Sequence, residues 1–226
     1  MLPKLAPNEN QYGSPVGDSI PREVTGVFVM PAEHLEIWQR AKPYLRVRDN
    51  DVHTLYAYGI ARALCEATPE ADARVVLPAI LLHDTGWSQV PEELVLQAIS
   101  PSGGRPDLVL QHEREGVRIA ERILAELGYE PALIDEVTDI ILTHDSAKEA
   151  KSTNDAVVKD ADKVWRLTPH GIDTVMDWFG LDRDAANRLC SWRVHEHLHT
   201  EAARIMARGL SAIVSMDVLP ERIELG

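Results

Sequence analysis

Six ionisable side chains fall at helical spacings whose other occupants are apolar. Residues i, i+4 and i+7 share one face of an α-helix. That spacing sets His53 in line with Ala57, Ile60 and Leu64, and His83 with Val76 and Ile80, Asp84 standing immediately beside it. In the same way His112 aligns with Gly116, Ala120, Ile123 and Leu127, His144 with Ile134, Val137 and Ile141, and Asp162 with Val158 and Trp165. Burying a polar group without a partner costs roughly 2–7 kcal/mol, so each of these side chains needs one. A single histidine on an apolar face is ordinarily a core residue bonded to a carbonyl. That explanation weakens as cases accumulate, and it does not account for the adjacent His83 and Asp84. Four imidazoles and two carboxylates converging in a helical core satisfy one another around one or two divalent cations. The donor set suits manganese, iron, zinc or nickel, whereas copper(I) prefers sulfur ligands.

The elements that must position these groups read as helices. The periodicity predicts them over 32–42, 52–67, 78–86, 91–99, 109–128, 131–145, 155–167, 170–179, 182–191 and 195–215, giving an all-α bundle with no run that demands a sheet. The apolar run Val75–Leu82 could be a buried strand, but Pro78 favours a helix in whose first turn it would sit. Residues 1–30 hold Pro3, Pro7, Pro15 and Pro21 together with Gly13, Gly17 and Gly26, and read as an irregular arm with a short extended stretch at Val27–Met30. The helical domain is expected over 31–226, interrupted by a loop at Ser100–Asp107.

Composition narrows the chemistry further. The chain has 226 residues, a net charge of −13, nine histidines and two cysteines. Cys65 and Cys190 are not a Cys-x-x-Cys pair, so a disulfide framework or an all-thiolate zinc site is excluded. The acidic balance argues against a nucleic-acid polymer as partner, since that contact is driven by lysine and arginine. No spanning segment or signal peptide is apparent, and the expected setting is cytoplasmic, away from membranes.

The order His53, His83-Asp84, Asp162, set in DNDVHTLYAYGIA, AILLHDTGW and VVKDADKVWRL, resembles the HD-domain superfamily of metal-dependent phosphohydrolases over roughly Leu45 to Asp217. The resemblance implies an all-helical fold in which His53, His83, Asp84 and Asp162 bind a first metal. Asp160 is the competing carboxylate, but the family places the ligand directly before a basic residue, here Lys163. His112 and His144 match the two additional histidines of members with an expanded H…HD…H…H…D pattern. There they bind a second metal, with the HD aspartate as bridge, or remain as phosphate contacts or proton donors beside a single ion. Trp87 and the lack of a GYP motif depart from the cyclic-dinucleotide branch.

The implied activity is hydrolysis of a phosphate ester or anhydride in a nucleotide or small phosphorylated metabolite, by water that the metal activates. Asp84, His112 and His144 would take part in catalysis, and Lys163 would neutralise phosphate oxygens or remain a solvated helix residue. Mixed-valence di-iron oxygenases resemble HD domains with the same six ligands and form the alternative. Arg46 and Arg48 could approach a phosphate or form a solvated helix end. His195, His197 and His199 read as an exposed helix start, and Trp165, Trp178 and Trp192 as core residues or contacts in a homo-oligomer.

Overall fold

The computed structural model describes residues 13, 16–22, 24, 26, 29–101 and 104–224. It divides into two compact units, Met1–Ala32 and Glu33–Gly226. Within the first, Gly17–Ser19 is a short 3₁₀ turn. The predicted extended stretch at 27–30 begins on residues outside those described.

Eleven α-helices and no strand appear among the described residues: α1 (Ala32–Ala41), α2 (Asn50–Ala67), α3 (Ala73–Leu82), α4 (Glu92–Ala98), α5 (Pro106–Glu126), α6 (Pro131–Ile141), α7 (Thr153–Val164), α8 (Pro169–Phe179), α9 (Arg183–His195), α10 (Glu201–Ser215) and α11 (Pro220–Ile223). The fold is all-α, as the periodicity indicates. None of the described helices is long and apolar enough to cross a membrane.

Helix α3 is the hub. Every residue from Val75 to Leu82 is buried, and α2, α6 and α7 pack around it. Its lack of a polar face is what a helix enclosed by neighbours requires. It begins earlier than the predicted residue 78, because the Asp72 carboxylate caps it by accepting from Arg74 N (2.9 Å). Pro78 therefore lies inside the helix, not in its first turn. The i−4 carbonyl that its missing N–H leaves unbonded belongs to Arg74, at the exposed start.

Helix α5 meets this hub through its stripe Leu108, His112, Gly116, Ile119, Ala120 and Ile123. Two glycines permit the close approach. A Cβ on Gly86, in the 3₁₀ turn Thr85–Gln89, would stand 1.8 Å from His112 O, and one on Gly116 would stand 3.2 Å from His83 O. Toward the carboxy terminus Thr168, Asp182 and Thr200 cap α8, α9 and α10 by accepting backbone N–H bonds. The HEHLH stretch is not a helix start: α9 runs through His195 and α10 begins only at Glu201. The carboxylate of Asp160 accounts for this break, taking the N–H groups of His199 and Thr200 at 2.8 Å each.

Candidate metal centre

The six groups singled out by periodicity are all buried, and they meet in one cluster. They do not all stand on helices. His53, His112 and Asp162 project from α2, α5 and α7, whereas His83-Asp84 and His144 lie on turns just past α3 and α6. Ending the helix there frees carbonyls for the imidazoles: His83 Nδ1 donates to Ile80 O (2.8 Å) and His144 Nδ1 to Ile141 O (2.7 Å). A carbonyl can only accept, so both Nδ1 atoms carry a proton, and in the neutral ring it is Nε2 that offers a lone pair to the cluster.

Asp84 divides the cluster in two. Its Oδ2 lies 3.3 Å from His53 Nε2 and 3.4 Å from His83 Nε2. Asp162 Oδ1 closes that half at 3.4 and 3.7 Å from the same nitrogens, which are themselves 3.1 Å apart. The other oxygen, Oδ1, turns to His144 Nε2 (3.6 Å) and His112 Nε2 (3.9 Å). Here the closing carboxylate is Asp145, whose Oδ2 is 3.5 Å from His112 Nε2 and 3.8 Å from His144 Nε2. Periodicity singles out His144 but not its neighbour Asp145, although both stand on this turn.

This arrangement fits metal ions. Lone pairs on nitrogen facing carboxylate oxygens repel unless a cation or proton lies between them. Two donors bound at about 2.1 Å in tetrahedral disposition are about 3.4 Å apart, close to the spacings seen in both halves. The cluster can therefore hold one or two divalent ions, with His53, His83, Asp84 and Asp162 positioned for one and Asp84, His112, His144 and Asp145 for the other. As protein groups alone, burial opposes ionisation of Asp84, yet His83, His144 and His53 hold its carboxyl well below the usual range. Burial and the neighbouring His144 push His112 down to about 4, while Asp145 and Asp84 overcome burial and push His144 up to about 9. Burial pushes both thiols up to about 11, which keeps them out of the chemistry.

The family model of the HD domain matches residues 50–167, just over half of the chain. The chain belongs to the HD-domain family. Its enzymes are metal-dependent phosphohydrolases, and the His/Asp cluster of this HD domain is the corresponding metal centre. No curated protein matches its sequence. Among solved structures, a predicted HD superfamily hydrolase from an uncultured Thermotogales bacterium shares the fold with a TM-score of 0.58 and 21% identity, over 85% of this chain and 92% of that one.

Side chains around the HD cluster fix its two halves differently. Trp87 Nε1 donates to Asp84 Oδ1 (3.1 Å), and the indole stacks on His112 with ring centroids 3.8 Å apart. The turn carrying His144 and Asp145 is gripped from both sides. Glu113 Oε1 accepts from Asp145 N (3.0 Å) and Ser146 N (2.8 Å), while the fully buried Lys159 ammonium donates to Thr143 O (2.5 Å) and His144 O (3.1 Å). Neither Glu113 nor Lys159 announced itself in the sequence, although each neighbours a residue that did: His112 and Asp160.

A cavity of about 40 Å³ opens onto the cluster. Arg166 reaches it from the end of α7, donating to Asp162 O (2.9 Å). Lys163 does not line it; its ammonium bonds Lys159 O (3.3 Å). Trp165 and Trp178 are cavity walls, whereas Trp192 is exposed. Arg48 enters from the turn before α2, where Arg48 and Asp49 are both left-handed (φ 56° and 58°). For residues other than glycine this conformation costs of the order of 1–3 kcal/mol each, a strain found most often at functional sites.

Proposed function

We propose that the chain hydrolyses a P–O bond in a nucleotide or other small phosphorylated metabolite at a two-metal centre. The observation that carries this reading is the orientation of Asp84, whose two oxygens face opposite histidine pairs at 3.3–3.9 Å. A carboxylate serving one ion has no need of the second pair. When bound, the ions acidify water and neutralise charge on the phosphoryl group. The chain's own part is positional. His53, His83 and Asp162 fix one side of Asp84, and His112, His144 and Asp145 fix the other.

Arg166, held against Asp162 and facing the cavity, is assigned to the phosphate oxygens in preference to Lys163, whose ammonium is engaged with Lys159 O. Trp87 and Trp165 exclude bulk water from the cluster, which strengthens every electrostatic contact inside it.

The test is phosphate release from a panel of phosphomonoesters and nucleoside di- and triphosphates by manganese-loaded protein. Release that chelation abolishes and metal restores is expected. Oxygen uptake by iron-loaded protein, with no phosphate released from any compound, would overturn the reading in favour of the oxygenase.

A further inference from the structure

Two guanidinium groups line the cavity, and they stand in different settings. Arg166 lies at the metal cluster, 3.6 Å from Asp162 Oδ2. Arg48 also borders a second, outer cavity with Glu92, Glu93 and Leu96, which places it at the mouth. Besides the cluster's own ligands, the same cavity has apolar walls that include Trp87, Val95, Ile99 and Trp178.

Arg48 has the features of a receptor held ready. Its backbone is left-handed, and its guanidinium lies 4.8 Å from the centroid of the Trp178 ring. Its Nη1 is shut off from solvent, with no hydrogen-bond partner among the described residues. Buried donors are ordinarily satisfied, and this orphaned one, though not itself open to the cavity, belongs to a guanidinium whose residue lines it. The acidic group acting on this guanidinium is Glu92, which borders the outer cavity and does not line the one at the cluster.

We propose that Arg48 forms a second anion subsite, and that the substrate carries a phosphoryl group for the metals and a second anionic group, carboxylate or phosphate, for Arg48. This rests on the hydrolase reading and names the substrate class within it. The cavity's apolar walls accept a short carbon linker, and Arg48 becomes the residue that selects doubly anionic compounds over simple esters. An arginine fork binds either anion through charge-assisted hydrogen bonds.

The experiment uses phosphonates, whose C–P bond survives P–O hydrolysis, and reads binding to manganese-loaded protein by calorimetry. Propylphosphonate carries one anionic end, 3-phosphonopropionate adds a carboxylate, and ethane-1,2-bisphosphonate adds a second phosphonate. Wild type is expected to bind at least one diacid about tenfold more tightly than propylphosphonate, in line with one charge-assisted bond. The favoured diacid then identifies the second group. In Arg48→Met, which keeps length and contact with Trp178, that advantage should fall below about threefold, and Arg48→Lys should recover part of it. Equal binding of all three compounds by wild type, or an advantage that survives in Arg48→Met, overturns the subsite while phosphate release from esters leaves the hydrolase standing. Failure of all three to bind, together with no phosphate release, overturns both.

Discussion

The structure contains two His-Asp turns, and they are built alike but supported differently. His83-Asp84 follows α3 and His144-Asp145 follows α6, and in each the imidazole donates Nδ1–H to the carbonyl three residues earlier. Both carboxylates line the cavity, but the first turn is the more buried, its Asp84 side chain 10% exposed. The second is more open, with the Asp145 side chain 32% exposed. Packing holds the first: Gly86 brings the backbone against α5, and Trp87 covers Asp84. The second lacks such a lid and is held by buried charges, Glu113 and Lys159, that grip its backbone. One ligand geometry can therefore be secured by burial or by ionic clamps, and the clamped version leaves its carboxylate the more exposed of the two.

Substitutions can break this pairing in graded fashion. The largest effect is expected from Asp84→Ala, which removes the group common to both halves. Bound metal should be lost from both, and turnover should fall by about 10³-fold, equivalent to the several kcal/mol that metal catalysis supplies. Elemental analysis with a phosphate-release assay measures this, and full metal retention would sink the bridging role. Asp145→Asn and Asp162→Asn come next, and should separate the halves: each variant is expected to retain one ion per chain where wild type holds two.

Below these lie the clamps. Glu113→Gln should weaken one of the two ions by about 10–100-fold, as loss of a supporting hydrogen bond does at other metal centres. Metal titration should show the other ion unmoved. Lys159→Met leaves Asp155, 3.5 Å from the ammonium, buried without its cation. A loss of about 3–5 kcal/mol in chemical denaturation is expected.

The smallest effect concerns how the two preceding helices start. Asp72 caps α3, while α6 has no side-chain cap. Asp72→Ala should cost about 1 kcal/mol at neutral pH. The Arg74 guanidinium lowers the pKa of Asp72, so the contribution is complete above the unfolded carboxyl value near ~3.9 and is lost as pH falls through the lower folded value. The difference between variant and wild type should therefore vanish in acid.

These residues also mark how far the amino-acid order can be read. The stripes on α2, α5 and α7 revealed His53, His112 and Asp162 because a polar residue at an apolar position breaks a regular pattern. Asp145 shares its turn with His144 and is not singled out, since an acid at a helix end reads as solvated until the fold brings His112 beside it. Glu113 and Lys159 were equally silent, since a charged residue in an amphipathic helix looks solvated until its neighbours are known. Asp160 and Asp162 are two residues apart and differ in task only because α7 turns one toward His53 and the other toward Thr200. The helix ends at Leu82 and Ile141 are equally illegible: the expected helices run on to 86 and 145, and the stop comes with what the imidazoles bond.

The carboxylate of Asp160 bears on how the protein is made. It accepts three hydrogen bonds from residues 199 and 200, about forty positions further along the chain. During synthesis, α7 emerges with this carboxylate unmatched, and its final environment cannot form until Thr200 has left the ribosome. Such distant pairings slow folding, so maturation of the metal centre is tied to a segment translated well after its last ligand.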